Sequence, residues 1–543
     1  MGALMARGTV SADIIAGLSI SGLLLPEAVA YSALAGLPPQ TGVIALFAGL
    51  LSYGLIGQSS FAIVSATSSS AAVLASALAA LGAQDPAQRL AFSFLLVIGC
   101  GIAFVLAGGL RLGAMSNLIA RPVLRGYSWG LALVITIKSW PQLAGVSTES
   151  SSALALLVAL LRDFADWHLP SLLCGLAALA GLFGLERLPR VPGALLVIVA
   201  SILAASVLAA HGVALTGPIH LALTLPSFSA PEGVHWLSLS EFAFALMFVL
   251  YAESYSSIRS YALKHNEEVQ PNRDLIAFGV ANLLAGLGHG MPVGAGYSAT
   301  SANEAAGARS RLAGLCALGA VLILVLLCLQ WVELIPRPVL SAIVIHAVAK
   351  SLRVGVFSSY FRWHRDRLLA VAAVLAVLIF GVLNGLLVAI ALSLALLIRS
   401  LARPRLSILG RIGAHDYVSL ERFPDAATSP ALLVVRPEEP LFFANAEPLL
   451  GQVREQVLAR SGMKVVVLSL EESPDLDGTA LEVLSEFCSW LSARGAALRV
   501  ARLKDRAREA LARAELGELP PDALEYSSVD DAVRGRSVSP GKK

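Results

Sequence analysis

Two short clusters of small polar residues are the part of the sequence best suited to bind a ligand. The first cluster consists of Ser65, Ala66, Thr67, Ser68, Ser69 and Ser70. The second spans residues 294–301 and includes Tyr297, Ser298, Ala299 and Thr300. Each cluster opens an apolar segment that is short for a membrane span. Hydroxyl groups donate hydrogen bonds, and a helix that begins inside a membrane directs unpaired N–H groups and a positive dipole end at one point. Two such ends predict an anion site without a permanent cation. The alternative is that these small residues only allow close helix packing.

Two carboxylates lie within apolar stretches. Glu27 follows Pro26, and Glu253 lies between Tyr251 and Tyr255. An ionised carboxylate at the middle of a membrane costs about 2.5–3.5 kcal/mol or more, so each must be protonated, paired or bound to an ion. We therefore predict that both act in cation coupling, the alternative being bonds to a water-filled cavity or to buried backbone. Tyr31 either contacts the ligand or packs between helices.

The composition excludes several classes of protein. The chain has 543 residues, of which 56% are hydrophobic and 14% charged, and its mean hydropathy is +0.74. Soluble domains have about 25% charged residues, so most of this chain must be solvated by lipid. The net charge of +3 gives no indication of nucleic-acid binding. The five cysteines are isolated from one another, which predicts neither a disulfide framework nor a zinc site. The sequence contains no catalytic triad, metal cluster or phosphate loop that would indicate an enzyme.

Apolar runs predict fourteen membrane segments, of which the third and the tenth are short. They lie near 13–35, 40–57, 66–82, 90–110, 117–137, 170–186, 192–210, 239–260, 272–288, 298–307, 311–330, 337–352, 367–383 and 385–402. The interval 147–168 predicts an amphipathic interfacial helix. The chain is thus expected to be a polytopic α-helical protein of the cell inner (plasma) membrane.

The distribution of basic residues predicts the orientation. With the amino terminus inside, the cytoplasmic loops receive Arg111, Arg121, Arg187, Arg190, Lys264, Arg273, Arg309, Arg311, Lys350, Arg353, Arg362, Arg365 and Arg367. The outer loops receive little more than Arg89, Lys138, Arg162 and Arg337. Because positive charge is retained on the inner side, both termini are expected in the cytoplasm.

The chain changes character after residue 402. We assign residues 1–402 to a transmembrane domain, 403–412 to a linker, 413–535 to a soluble α/β domain and 536–543 to a disordered tail. Runs at 432–435 and 465–470 predict buried strands, and residues 481–491 and 507–516 predict helices.

Several motifs, taken together and in this order, resemble the SulP family of sulfate permeases with a carboxyl-terminal STAS domain. They are Asp13-Ile-Ile-Ala-Gly-Leu with Pro26, Ala30 and Tyr31, then residues 34–39, Arg121-Pro-Val-Leu with Gly126, Pro271-Asn-Arg-Asp-Leu-Ile-Ala with Ala281 and Asn282, Gly307-Ala-Arg, and residues 440–447. The resemblance implies a seven-plus-seven inverted repeat, in which segments 1–4 and 8–11 form a mobile core domain and the others a gate domain. It also implies a substrate site between the third and tenth helices, an elevator motion and a homodimer.

Two departures from the family pattern bear on coupling. Glu27 stands where many members carry glutamine, and Ala299 stands where many exchangers carry an arginine that offsets the carboxylate of the eighth helix. A co-transported cation would restore the balance, so we predict symport with a proton carried by Glu27. One alternative is symport with sodium held by Glu253, Ser257 and Thr300, which resembles the coupling of bicarbonate-transporting relatives. The other alternative is anion exchange. No other cofactor is expected. Sulfate, bicarbonate and C4-dicarboxylates all remain open as substrates.

One loop of the soluble domain departs from the usual STAS sequence. In the loop 475–480, Gly478 occupies the position of the phosphoacceptor serine of STAS domains, and Asp477 is explained by an ordinary helix cap. We expect a regulatory or dimerisation module.

Two other classes of protein compete with this interpretation. A nucleobase permease would share the core fold but lack a STAS domain. A membrane sensor would not need two hydroxyl-rich broken helices and two buried acids.

Overall fold

The computed structural model describes most of the chain. Its described residues are 7–83, 85–114, 120–146, 152–187, 193–219, 235–349, 352, 354–364, 366–514, 516–517, 519, 521–524 and 526–536. They form two compact units, Met1–Ser393 and Leu394–Lys543. Most of the predicted tail, residues 537–543, lies outside the described residues, as do Arg190, Lys350, Arg353 and Arg365.

Helices occupy all fourteen predicted segments. They are α1 (Arg7–Ala35), α2 (Pro39–Ile56), α3 (Ser68–Ala80), α4 (Pro86–Gly109), α5 (Arg121–Ala144), α7 (Leu169–Leu185), α8 (Gly193–Leu203) with α9 (Ala205–Ala210), α10 (Trp236–His265), α11 (Pro271–Leu287), α12 (Tyr297–Ala305), α13 (Leu312–Glu333), α14 (Arg337–Ala349), α16 (Arg367–Phe380) and α17 (Val382–Ala402). The predicted span 192–210 is interrupted at Ala204, where the backbone forms a turn between α8 and α9. Two shorter helices are α6 (Ala153–Arg162), inside the interval predicted to be amphipathic, and α15 (Ser358–Trp363).

Only some of these helices could cross a membrane on their own. By length and composition, five described helices qualify, namely Val10–Ala35, Pro39–Ile56, Pro86–Gly109, Trp236–His265 and Asn384–Ala402. Most of the others are shorter, whereas α5 is as long as α4 but contains more charged and polar residues. A short helix at membrane depth must have its ends buried in protein. Length therefore separates α3 and α12, at 13 and 9 residues, from their neighbours.

A pair of two-residue strands joins the two short helices. Strand β1 (Val64–Ser65) ends two residues before Thr67, the N-cap residue of α3. Strand β2 (Gly294–Ala295) ends two residues before α12 begins. The strands pair antiparallel, with Val64 opposite Ala295 and Ser65 opposite Gly294. A side chain at Gly49 on α2 would come within 2.3 Å of the Val64 carbonyl oxygen, so only glycine lets α2 support this strand pair.

Helices of the membrane unit pack into two groups. In the first, α4 packs on α11, α1 on α13, and α2 on α11. In the second, α5 packs on α16 and α14, and α14 packs on α7. These groups correspond to the expected core domain (α1–α4 and α10–α13) and gate domain (α5, α7–α9, α14, α16 and α17). At Gly126, a methyl group would lie 2.3 Å from the Ala370 carbonyl oxygen, which shows how closely α5 and α16 approach.

One basic residue lies in a different place from the one predicted. We expected Lys138 in an outer loop, but α5 continues to Ala144, so Lys138 is inside the helix and partly buried. The reason is that the apolar run stops near residue 137 whereas the helical hydrogen bonding does not. A cation within a membrane helix is costly and is therefore a feature to be explained by function.

The second unit is a mixed sheet covered by helices. Its strand order is β4-β3-β5-β6-β7, in which β5, β6 and β7 run parallel and the β3 pairings are antiparallel. The strands are β3 (Leu406–Ile412), β4 (Asp416–Ser419), β5 (Leu432–Pro437), β6 (Val465–Ser469) and β7 (Ala497–Ala501), and the helices are α18 (Ala446–Leu458), α19 (Gly478–Ser492), α20 (Asp505–Ala514) and α21 (Val529–Arg534). The predicted strands and helices of this domain are thus confirmed.

The expected linker is wrong. Residues 403–412 include β3, which pairs with both β4 and β5 and therefore belongs to the sheet. The sequence Leu-Ser-Ile-Leu-Gly-Arg-Ile is apolar at alternate positions only in part, so its strand character depends on its neighbours. The compact unit itself begins earlier still, at Leu394.

A buried carboxylate ties the β3–β4 hairpin to the last helix. Asp530 hydrogen-bonds to His415 at 2.8 Å and pairs with Arg534 at 3.0 Å. The hydrogen bond with His415, and then the charge of Arg534, hold the pKa of the Asp530 carboxyl below its ordinary value. A carboxylate with a lowered pKa stabilises the folded state above its unfolded pKa, and that stability is lost as the pH falls through the folded pKa.

We predict that Asp530→Asn lowers the free energy of unfolding of a 403–543 fragment by about 1–2 kcal/mol at pH 7, because the charge-assisted bonds are lost. The difference should shrink as the pH falls below about 4, where the wild-type carboxyl takes up a proton. Urea unfolding over this pH range measures both effects. Asp425→Asn, at an exposed position, is the control, and an equal change there would contradict the prediction.

Candidate functional site

The amino-terminal end of α3 is capped by its own hydroxyl residues. Thr67 Oγ1 accepts a hydrogen bond from the Ser70 N–H at 3.0 Å, and Ser70 Oγ accepts one from the Thr67 N–H at 2.9 Å. This reciprocal capping box satisfies two of the backbone donors at the helix start. The backbone N–H groups of Ser68 and Ser69, which lie between these two residues, belong to the first turn and have no acceptor within the helix. Ser65 Oγ donates locally to the Ala66 carbonyl at 3.2 Å.

The start of α12 has no side-chain cap. Its N-cap residue is Gly296, so the first amides of the helix are not covered by a hydroxyl. Ala299 and Thr300 are buried, and Thr300 Oγ1 accepts a hydrogen bond from the Ile63 N–H at 3.3 Å. Tyr297 and Ser298 are exposed, and the Tyr297 ring packs against Tyr261. Of the four residues predicted in the tenth segment, Ala299 and Thr300 are therefore buried, and Tyr297 and Ser298 are not.

Buried polar side chains hold the extended stretch before α12. Asn282 on α11 donates to the Val293 carbonyl at 3.0 Å, and its side-chain oxygen accepts from the Val293 N–H at 2.9 Å. Ser254 Oγ on α10 accepts a hydrogen bond from the Ala295 N–H at 2.8 Å. Both residues are almost completely buried. These bonds replace the ones that the backbone loses where the helix is broken.

Glu253 links α10 to α3. Its Oε1 accepts a hydrogen bond from Ser69 Oγ at 2.8 Å. Among the described residues, no lysine, arginine or histidine forms an ion pair with Glu253. The sequence shows that position 299 carries alanine and not arginine, but it did not identify Ser69 as the partner of Glu253. The only available signal was that a serine-rich helix start and an acidic residue occur in segments expected to meet.

Glu27 and Tyr31 lie one helical turn apart on α1. Glu27 is 5% exposed and Tyr31 is 4% exposed. No hydrogen bond or ion pair to the Glu27 carboxyl is found within the described part of the chain. The charges of Glu27 and Glu253 both act on the Tyr31 hydroxyl, so the three residues are within electrostatic range of one another. Helices α1 and α10 both contact α3, so the helices that carry Glu27, Tyr31 and Glu253 lie next to the helix that begins at Ser68.

Ser257 is the third member of the predicted sodium set. It lies one turn after Glu253, it is 1% exposed, and its Oγ has no hydrogen-bond partner in the described residues. Thr300 Oγ1 already accepts a backbone N–H, and it retains a second lone pair. The described residues contain no group of three or more His, Cys, Asp or Glu side chains close enough to hold a metal ion. Hydroxyl and carboxylate oxygens are nevertheless the ligand types that suit a hard cation.

Comparison with known proteins identifies the family. The model of the sulfate permease family matches residues 10–368, and that of the STAS domain matches residues 423–532. The first match covers more than half of the chain.

The chain belongs to the sulfate permease family. A relative described as "Probable sulfate transporter" from Mycobacterium tuberculosis is 33% identical over 519 residues, which cover 94% of this chain and 92% of the relative. "Sulfate transporter 4.1, chloroplastic" from Arabidopsis thaliana is 28% identical over 548 residues, covering 96% and 79%.

Solved structures share the fold of this sulfate permease. The murine SLC26A9 anion transporter in its inward-facing state superposes with a TM-score of 0.89 at 20% identity, covering 98% of this chain and 92% of that one. The transmembrane domain of the cyanobacterial bicarbonate transporter BicA gives 0.61 at 20% identity, covering 72% and 98%. The polytopic helical fold with a carboxyl-terminal STAS domain is thus confirmed, and the seven-plus-seven arrangement is consistent with it. The family match and the transporter relatives show that this sulfate permease is a membrane anion transporter rather than an enzyme.

The sequence motifs of the sulfate permease family anchor its broken helices. Asp13 Oδ1 accepts hydrogen bonds from the Arg309 and Ser310 N–H groups at 2.7 and 3.0 Å, just after α12. Asp274 Oδ1 accepts from the Tyr53 hydroxyl at 2.8 Å and from the Gln58 N–H at 3.0 Å, in the stretch that leads to β1. In the STAS domain, Asp477 caps α19 through the Ala480 N–H and also binds the Phe443 N–H. The helix-cap interpretation of Asp477 is therefore confirmed.

We predict that Asn282→Ala destabilises this sulfate permease by about 2–4 kcal/mol, because the N–H and C=O of Val293 lose their partner in a buried site. Anion uptake into proteoliposomes should fall at least tenfold, since β2 and the start of α12 are no longer held in place. Thermal unfolding in detergent and uptake measure the two effects. Asn384→Ala, at an exposed position on α17, is the control. Full uptake by Asn282→Ala would show that the bonds to Val293 do not position the site.

Proposed function

We propose that the protein imports a small anion by secondary active symport with a proton, which Glu27 carries. The observation that carries this proposal is the combination of two helix starts with the almost fully buried carboxyl of Glu27, for which the described residues offer no hydrogen-bond or ion-pair partner. The anion would bind between the starts of α3 and α12, where the expected ligands are Ser65, Ala66, Thr67, Ser68, Tyr31, Tyr297, Ser298, Ala299 and Thr300.

The charge balance of the site supports proton coupling. A bound anion close to ionised Glu27 and Glu253 would be repelled, because the described part of the site holds no compensating cation. Protonation of Glu27 removes one negative charge, and it also removes the cost of an ionised carboxyl at membrane depth. The anion and the proton therefore favour each other's binding, which is the requirement for symport.

The family architecture supports a proposal for the transport cycle and its setting. We infer an elevator motion, in which the core domain with α3 and α12 moves past the gate domain. The protein would lie in the inner (plasma) membrane as a homodimer surrounded by lipid, with both termini in the cytoplasm. Nucleic acid is not an expected partner.

Sodium-coupled bicarbonate symport is the second candidate. It is favoured by Ser257, whose buried hydroxyl has no partner in the described residues and lies one turn from Glu253. Together with Thr300 these groups offer oxygen ligands to Na⁺. Sulfate is the first anion to test because relatives at 33% and 28% identity are described as sulfate transporters. Bicarbonate and C4-dicarboxylates such as fumarate follow.

We predict that an inward proton gradient drives uptake of one of these anions into proteoliposomes and that Glu27→Gln abolishes the drive. Glutamine keeps the shape of the side chain but cannot carry the proton. Uptake of radiolabelled sulfate, bicarbonate and fumarate, with a proton gradient, a sodium gradient or neither, measures this. Glu241→Gln, at an exposed position on α10, is the control. Uptake that needs only an internal counter-anion would contradict symport and indicate exchange, whereas drive by sodium alone would favour the second candidate.

We predict that Ala299→Arg makes uptake independent of the cation gradient. Ala299 is buried at the start of α12, and a guanidinium there supplies the fixed positive charge that the symport otherwise takes from the co-transported cation. The same proteoliposome assay, with and without internal anion, measures the change as a shift from gradient-driven to exchange uptake. Ala299→Leu controls for added volume. Retention of full gradient dependence by Ala299→Arg would disprove the charge argument.

A further inference from the structure

One buried hydroxyl of the gate domain lacks a hydrogen bond. Tyr127 on α5 is 4% exposed, and its Oη finds no partner among the described residues. An unpaired buried hydroxyl costs about 1–3 kcal/mol, and native structures contain few of them. The hydroxyl also does nothing for the packing of α5, because phenylalanine would fill the same space. The hydroxyl group of Tyr127 therefore calls for a role beyond folding.

The position of Tyr127 connects it with the proposed anion site. Helix α5 contacts α3, the helix whose start forms one half of that site. The charge of Glu253 acts on Tyr127 as it does on Tyr31, so the two phenols lie within electrostatic range of the same carboxylate. Glu253 Oε1 is already bonded to Ser69. The Tyr127 hydroxyl is thus a donor without a partner in the described residues, and it lies on a helix that contacts α3.

A second polar residue lies on the same side of α5. Lys138 follows Tyr127 by eleven residues, and at about 100° per residue this is three turns plus about 20°. The two side chains therefore project from one face, about 16 Å apart along the helix. Lys138 is partly buried and forms no ion pair within the described residues. Unpaired cations in membrane helices mark ion pathways, so this face of α5 is suited to the passage of an anion.

We propose that Tyr127 is a substrate-binding residue supplied by the gate domain, which donates a hydrogen bond to one oxygen of a bound oxyanion, and that Lys138 attracts the anion along the same face. This inference rests on the proposed function. A phenol is neutral at physiological pH and donates in one direction. Such a donor suits the separate oxygens of sulfate or a carboxylate better than a spherical halide.

The experiment compares wild type and Tyr127→Phe in the full-length protein. Melting temperature in detergent is measured without anion and in titrations with sulfate, bicarbonate, fumarate and chloride. Because the hydroxyl has no hydrogen-bond partner in the described residues, Tyr127→Phe should leave the anion-free melting temperature unchanged or raise it slightly. The apparent Kd for the oxyanion should rise about tenfold, the value of one lost hydrogen bond to a charged group, with little change for chloride. Tyr360→Phe, which removes the hydroxyl of another buried tyrosine outside the core domain, should leave both readouts unchanged.

The outcomes separate this inference from the function on which it rests. An unchanged oxyanion Kd in Tyr127→Phe, with normal binding by wild type, overturns the inference alone. A lowered anion-free melting temperature with unchanged Kd also overturns it, because the hydroxyl would then have a structural role. If wild type binds none of the anions, the proposed function fails and the inference fails with it. Lys138→Gln should slow oxyanion uptake at low salt several-fold while Lys138→Arg retains it, and equal rates in both variants overturn the part assigned to Lys138.

Discussion

The pairing of backbone groups at two interrupted helices is the constraint on which the rest of the membrane unit depends. Within a bilayer an unpaired N–H or C=O is too costly to persist, so each break needs partners from protein. Here β1 and β2 pair with each other, and Asn282 and Ser254 bind the residues beside β2. Gly49 permits the close approach of α2 to β1. Once these groups are satisfied, the free amides of α3 and α12 are left for a ligand.

The same arrangement determines the electrostatics of the site. Backbone dipoles attract an anion without adding net charge, and Glu253 is satisfied by the Ser69 hydroxyl rather than by a cation. Glu27 adds a second acid that lacks a partner in the described residues. A site with two acids and only neutral donors needs a mobile cation whenever it holds an anion. The coupling that we propose is therefore a property of the whole charge set and not of one residue.

Much of this could be predicted from the sequence, since hydroxyl and glycine clusters at short apolar segments located both broken helices. The predictions failed where long-range contacts decide. Residues 406–412 form a strand only because β4 and β5 flank them, and Lys138 is helical because α5 extends beyond its apolar run. Ser69, Ser254 and Tyr127 could not be distinguished from other polar residues. The importance of the two serines depends on partners more than 40 residues away, and that of the Tyr127 hydroxyl depends on its having no partner in the described residues.

The β1–β2 pair has a consequence for the ancestry of the fold. Each seven-helix repeat contributes one strand of two residues, and neither strand has another partner of its kind in the described residues. A half-length ancestor with the same broken helix would leave these groups unpaired in the membrane. It could satisfy them only by associating with a second copy inserted in the opposite direction. Gene duplication and fusion would then have made permanent a pairing that two separate chains already required.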